Sequence, residues 1–157
     1  MNAFELLENE ACEEGIDIIR YDFQSDRIRG LYCDGTVAIN IDINTMAEKT
    51  SVLAEELGHY YTSTGNILDQ TDISNRKQER HARLWAYDKL IGLSGIISGF
   101  EAGCQSQYEL AEHLGVTEEF LQEAVDCYTA KYGICVQIDD YLIMFTPGLG
   151  VMKIIHI

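Results

Sequence analysis

Three side chains within one short segment have the types and the spacing of a metal-dependent hydrolase. In VLAEELGHYY, Glu55 and His59 lie four residues apart, and Glu56 lies between them. Residues four apart on a helix share one face, so Glu55 and His59 can bind a single metal ion. The motif H-E-x-x-H uses this geometry, with two zinc ligands and a glutamate that polarises the bound water. Here a glutamate replaces the first histidine, and carboxylate oxygen is also an accepted zinc ligand.

A catalytic zinc ion usually has three protein ligands and one open position for water. Glu79 is the best candidate for the third ligand, because it lies on the next predicted helix. The loop between the two helices is long enough to let them pack side by side. The alternative interpretation of these acidic residues is a solvated surface, which acidic pairs on helices commonly form.

Hydrophobic spacing predicts the elements that must position these side chains. One apolar stripe indicates a helix from about residue 45 to 62, formed by Leu53, Leu57, Tyr60 and Tyr61. Asn75 begins the second helix, and Gln78 three residues later resembles a capping box. Upstream, Asp34-Gly35 stands between two β-prone runs and predicts a hairpin with a type I′ turn.

The remaining segments complete an α+β fold. They are a short acidic helix (residues 3–13), a strand (16–23), a third helix (92–103), two short helices (106–133) and a β-stranded tail from Ile134 onward. A weak boundary near residue 104 divides the chain into residues 1–103 and an appendage, residues 104–157. We expect the two parts to pack into one compact unit.

The strong negative charge limits the partners of this protein. The chain has 157 residues, of which 26 are acidic and 11 are basic, for a formal charge of −15. Such a surface repels phosphate backbones and anionic membranes. The segment 106–132 resembles a helix-turn-helix, but it is acidic, whereas a DNA-recognition helix needs basic residues. We therefore predict no direct contact with nucleic acid and none with a membrane.

The cysteines and the N-terminal residues predict a cytoplasmic protein. The five cysteines are widely spaced and include no C-x-x-C pair, which is typical neither of a disulfide framework nor of a zinc ribbon. Free thiols fit a reducing cytosol. The N-terminal residues show no signal-peptide pattern, and no apolar run is long enough to span a membrane.

Two motifs together resemble the ImmA/IrrE family of bacterial and phage metallopeptidases. That family has H-E-L-G-H, followed by a second helix with a pattern like E-x-x-A-x-x-F-A. The matching residues in this chain are Glu56, Leu57, Gly58 and His59, then Glu79, Ala82, Trp85 and Ala86. The hairpin GLYCDGTVAIN and the helical segment YELAEHLGVTEEFLQEAVDCYTAKYG also resemble the family, so the resemblance covers most of the chain.

The resemblance implies a fold and a role for each residue of the motifs. The fold would be a zincin-like helical core with a small N-terminal β-sheet, followed by a helical and β-hairpin C-terminal appendage. His59 and Glu79 become metal ligands, and Glu55 occupies the place of the family's first histidine ligand. Glu56 becomes the general base that takes a proton from zinc-bound water.

Three further residues are candidates for stabilising the oxyanion or contacting the substrate. A tetrahedral oxyanion needs a second donor besides zinc, and Tyr60, Tyr61 and His81 could supply one. His81 lies two residues beyond Glu79, which places it on a different face of the second helix.

The resemblance implies a zinc-dependent endopeptidase with a narrow protein substrate, such as a DNA-binding repressor of a phage or mobile element. Zinc is the expected cofactor, although a carboxylate-rich site also suits other divalent ions. Glu55 leaves two interpretations open, an exchange of ligand or a loss of activity. A loss of activity would make the chain a non-catalytic protein-binding module on a degenerate metallopeptidase fold. A third interpretation is a structural metal site, in which a protein ligand also fills the fourth coordination position of the metal.

Overall fold

The computed structural model describes residues 1–62 and 72–155, with side chains described throughout these ranges except at residues 72–74. Within them the fold is mixed α and β, as predicted. The chain divides into two compact units, Met1–Lys89 and Leu90–Ile157. The division predicted after residue 103 stays a prediction. In the described ranges, none of the helices combines the length and the apolar character that crossing a membrane requires.

The first unit contains a small mixed sheet and the helices that carry the candidate residues. In chain order its elements are α1 (Ala3–Glu13), β1 (Asp17–Tyr21), β2 (Gly30–Cys33), β3 (Thr36–Asn40), α2 (Met46–Thr62) and α3 (Asp72–Leu90). The strand order is β1-β3-β2, and β3 runs parallel to β1 and antiparallel to β2. Both α1 and the strands β2 and β3 contact α2, so α2 is the central helix of this unit.

Local side-chain chemistry explains how the early elements form. Asn2 caps α1, because its Oδ1 accepts from the Glu5 N–H at 2.9 Å and the Glu5 carboxylate accepts from the Asn2 N–H at 3.1 Å. The predicted hairpin between β2 and β3 is confirmed. Asp34 and Gly35 have positive φ values of 46° and 80°, as a type I′ turn requires.

A buried apolar core fixes the position of α2. Val37 and Ile39 of β3 are almost completely buried, as are Leu53 and Leu57 of α2 and Leu7 of α1. Burial of one such side chain contributes roughly 1.5–3 kcal/mol. The helix predicted over residues 45–62 is confirmed as α2, and this core holds it against the sheet.

The prediction that the next helix begins at Asn75 is wrong, because α3 already begins at Asp72. The sequence TDISN offers several residues that favour a helix start, and an acidic residue in the first turn also suits the helix dipole. The local sequence pattern therefore does not determine which of these residues begins the helix. The loop predicted between the two helices lies largely outside the described residues.

The second unit contains three helices followed by a sheet, within the described residues. Its elements are α4 (Gly92–Glu101), α5 (Gln107–Leu114), α6 (Glu118–Tyr132), β4 (Cys135–Ile138), β5 (Tyr141–Met144) and β6 (Gly150–Lys153). Ser106 and Thr117 cap α5 and α6, and Gly115 ends α5 with a φ of 74°. The predicted C-terminal hairpin is present as the antiparallel pair β5 and β6, and β4 extends it to a three-stranded antiparallel sheet by pairing with β5.

The helices α2 and α3 approach closely at Gly58. A Cβ atom at this position would overlap the carbonyl oxygen of Ala82 and would lie 3.0 Å from the carbonyl carbon. Both Gly58 and Ala82 are buried. The glycine therefore sets the spacing of the two helices on which the candidate ligands lie.

The substitution Gly58→Ala tests this spacing. We expect the free energy of unfolding to fall by roughly 1–3 kcal/mol, because the backbone of α3 must move to admit the methyl group. Alanine favours a helix over glycine by about 1 kcal/mol, so helix propensity would change stability in the opposite direction. Chemical denaturation measures the effect. Gly150→Ala is the control, since a Cβ there meets no atom within 4 Å. If the Gly58→Ala protein were as stable as wild type, the close packing of α2 and α3 would be contradicted.

Candidate active site

His59 and Glu79 meet at the contact between α2 and α3. His59 follows Gly58, and Glu79 lies one turn before Ala82. The His59 Nε2 atom is 3.1 Å from Glu79 Oε2, and both side chains are partly exposed. The other Glu79 oxygen lies 3.7 Å from Nε of Arg83, one turn further along α3. Glu79 is therefore held between a histidine and an arginine.

The separation of these two donor atoms fits a shared metal ion. Around tetrahedral zinc, with ligands at about 2.0–2.2 Å, neighbouring ligand atoms lie roughly 3.3 Å apart. The Nε2–Oε2 distance of 3.1 Å is close to that separation. A neutral imidazole and a carboxylate are also two of the usual zinc ligands. Without a metal, the same two atoms are within hydrogen-bond distance and form an ion pair when His59 is protonated.

The third predicted ligand, Glu55, lies on α2 one turn before His59 and is half-buried. Among the residues that the structure describes, no group of three or more His, Cys, Asp or Glu side chains converges as a metal site. The structure thus brings together His59 and Glu79 without adding Glu55 to them. The role of Glu55 as a ligand stays a prediction.

Glu56 lies half-buried on α2, where strand β2 packs against it. Its carboxylate accepts a hydrogen bond from the backbone N–H of Tyr32, on β2. Strand β2 passes very close to α2 here, since a Cβ at Gly30 would lie 2.6 Å from Val52 Cγ1 and 3.3 Å from Glu56 Cγ. A half-buried carboxyl with one backbone donor is suited to hold or release a proton.

The electrostatics of Glu56 follow from this position. The pKa of Glu56 is raised from the ordinary 4.5 to about 7, chiefly because burial leaves the charged form poorly solvated. The Tyr32 N–H opposes this increase, and the neighbouring carboxylates of Glu55 and Glu79 contribute to it. A group that titrates near neutral pH can accept and return a proton under physiological conditions.

The predicted oxyanion or substrate contacts occupy three different environments. The Tyr60 hydroxyl donates to Glu14 at 3.1 Å, and this bond raises the pKa of Tyr60. Tyr61 stacks on Trp85, with ring centroids 4.9 Å apart. His81 is exposed on α3. The Tyr60 hydroxyl therefore interacts with α1 rather than with the His59–Glu79 pair.

Sequence reasoning missed the roles of three residues around the site. Arg83 follows Glu79 by four residues, a spacing typical of helical ion pairs, and this signal could have revealed it. Tyr32 contributes a backbone N–H, and Glu14 accepts the Tyr60 hydroxyl from 46 residues away in sequence. No local pattern in the sequence indicates either of these two contacts.

A half-buried carboxyl next to a histidine–carboxylate pair on adjacent helices is the arrangement of a metallopeptidase-type domain. Residues 11–126 match the family model described as the IrrE N-terminal-like domain, which is a peptidase family. The match covers most of the chain and includes both α2 and α3. The chain belongs to this family, and the resemblance to ImmA/IrrE peptidases is confirmed. A comparison with curated proteins found no match.

Glu56 should destabilise the metal-free protein at high pH. Because its pKa is higher in the folded chain than in the unfolded chain, stability falls as pH rises from about 4.5 to about 7. In chelator-treated protein at pH 8, Glu56→Gln should therefore raise the free energy of unfolding by roughly 2–3 kcal/mol. The gain should be about half as large at pH 5.5. Chemical denaturation at both pH values measures it, with the exposed Glu8→Gln as control. A gain that does not grow with pH would contradict the buried position of Glu56.

Proposed function

We propose that this protein is a zinc-dependent endopeptidase that hydrolyses a specific regulatory protein. The observation that carries the proposal is the 3.1 Å approach of His59 Nε2 and Glu79 Oε2, directly beside the half-buried Glu56. Membership of a peptidase family supports hydrolysis of a peptide bond in a protein. The fit of the two donor atoms supports zinc as the metal.

The residues of the site divide into ligands and a proton carrier. His59, Glu79 and Glu55 would hold the metal ion. When bound, zinc would polarise the scissile carbonyl and lower the pKa of water. Glu56 takes a proton from the attacking water and hands it to the leaving amine, because it is adjacent to the ligands and shielded from bulk solvent. Two carboxylates and one imidazole would neutralise the dication, which makes it a weaker Lewis acid than zinc with three histidines.

The proposed substrate is a DNA-binding repressor that acts in the cytoplasm. The formal charge of −15 would attract a basic protein and disfavour nucleic acid itself. None of the five cysteines, all of which lie in the described ranges, forms a disulfide, which supports a reducing compartment. An acidic protein would therefore recognise its substrate by that protein's basic surface.

Zinc binding and the role of Glu56 can be tested together. We expect purified chain to bind about one zinc ion, as a single catalytic site requires. Glu56→Gln should keep the metal and lower the cleavage rate at least ~100-fold, because it removes the proton acceptor. Metal analysis gives the zinc content, and labelling of new N-termini in a bacterial protein extract gives cleavage. Wild-type protein that is loaded with zinc and yields no new N-termini beyond those of Glu56→Gln would refute the peptidase proposal.

The role of Glu55 requires a separate variant. If Glu55 is a ligand, Glu55→Ala should weaken zinc binding at least about tenfold, measured by competition with a chromophoric chelator. The exposed Glu8→Ala removes the same charge elsewhere and should leave zinc affinity unchanged. Equal affinities of wild type and Glu55→Ala would remove Glu55 from the ligand set.

The second candidate function is a non-catalytic protein-binding module on a degenerate metallopeptidase fold. The observation that favours it is the lack of a converging group of three ligands among the described residues. This alternative predicts that the chain retains no zinc after loading. Metal bound without an exchangeable water would instead favour a structural site.

A further inference from the structure

Four aromatic side chains form a continuous strip beside the candidate active site. The aromatic strip consists of Tyr32 on β2, Tyr60 and Tyr61 at the end of α2, and Trp85 on α3. Successive ring centroids are 5.7, 4.9 and 4.9 Å apart. Three of the rings are half-buried, and Tyr61 is 39% exposed, so the strip presents ring surface that a ligand can contact.

The aromatic strip is connected to the site at two points. The backbone N–H of Tyr32 binds the carboxylate of Glu56, and Tyr60 directly follows His59. A substrate whose scissile bond lies at Glu56 would therefore pass a neighbouring side chain over these rings.

The C-terminal end of α1 makes the surroundings of the strip negative. Glu13 is the last residue of α1 and Glu14 is its C-cap, and the last turn of α1 contains no basic residue. The helix dipole adds a further partial negative charge at this end. Glu14 lies against the strip, since its carboxylate accepts the Tyr60 hydroxyl at 3.1 Å. One carboxylate of α1 is neutralised, because Glu10 Oε1 forms an ion pair with Lys89 Nζ at 2.7 Å.

We propose that the aromatic strip and the C-terminal end of α1 bind an arginine side chain of the protein substrate, close to the scissile bond. A guanidinium group stacks on aromatic faces and at the same time donates to carboxylates in its own plane. The strip offers both interactions, because Glu14 contacts Tyr60 directly and Glu13 is close enough to raise the pKa of Tyr61. This inference rests on the proposed peptidase function and adds to it the chemical class of the recognised residue.

Trp85 provides a direct readout of binding. It is the single tryptophan of the chain and stacks on Tyr61, so a cation on the strip should change its fluorescence. The probes are two blocked pentapeptides that hold one arginine, or one citrulline, between glycines. Citrulline has nearly the same shape without the charge. At physiological salt we expect a saturable change with the arginine peptide and at least about threefold weaker binding of the citrulline peptide.

Two variants with matched controls locate the interaction. Tyr61→Leu should weaken binding of the arginine peptide about two- to fivefold, whereas Tyr108→Leu, at an exposed tyrosine of the second unit, should not. Glu14→Gln should weaken it as well. Glu8→Gln removes the same charge from α1 at an exposed position and should have no effect.

Either of two results would overturn the proposal. Equal binding of the arginine and citrulline peptides would show that the charge is not recognised. Equal weakening by Glu8→Gln and Glu14→Gln would show only long-range attraction to an acidic protein. The fluorescence readout needs no hydrolysis, so its failure is distinct from a failure of zinc binding or cleavage, which would overturn the peptidase proposal instead.

Discussion

The contact between Gly58 and Ala82 is the constraint on which the candidate site depends. Helices normally pack with their axes 8–10 Å apart, and short side chains at the crossing allow the backbones to approach. Here Gly58 has no room for even a methyl group against α3. His59 and Glu79 can then reach each other from facing helices. The two motifs therefore combine residues of two kinds: the glycine and alanine set the helix spacing, and the histidine and glutamate are the candidate metal ligands.

The same arrangement places negative charge where it is poorly solvated. Glu56 is half-buried beside β2, and the carboxylates of Glu55 and Glu79 are close enough to raise its pKa. An arrangement like this lowers the stability of the folded chain, and such features are commonly found at functional sites. A cation bound there, as the proposed function requires, would offset the repulsion that Glu55 and Glu79 exert on Glu56.

Elements whose signals are local could be predicted from the sequence, whereas contacts between distant segments could not. The hairpin at Asp34-Gly35 and the helix α1 were predicted correctly, because turn chemistry and the spacing of apolar residues along a helix are local signals. The start of α3 was predicted wrongly because several adjacent residues can begin a helix. At the site, the helical spacing indicated Glu56 and His59, but it could not reveal that Tyr32 binds Glu56. That contact depends on how β2 crosses α2, which is a property of tertiary packing.

Two locally unfavourable features occur at the same part of the first unit. One is the buried carboxyl of Glu56, and the other is the acidic C-terminal end of α1, where the helix dipole favours basic residues instead. Tyr60 links them, because it follows His59 on α2 and donates its hydroxyl to Glu14. Natural sequences are consistent across local and tertiary levels except where function requires otherwise. Both features would be relieved by positive charge, a dication at the first and a guanidinium group at the second. The proposed function would thus explain why these acidic residues lie at this position, which solubility does not, since an acidic residue anywhere on the surface would serve solubility equally well.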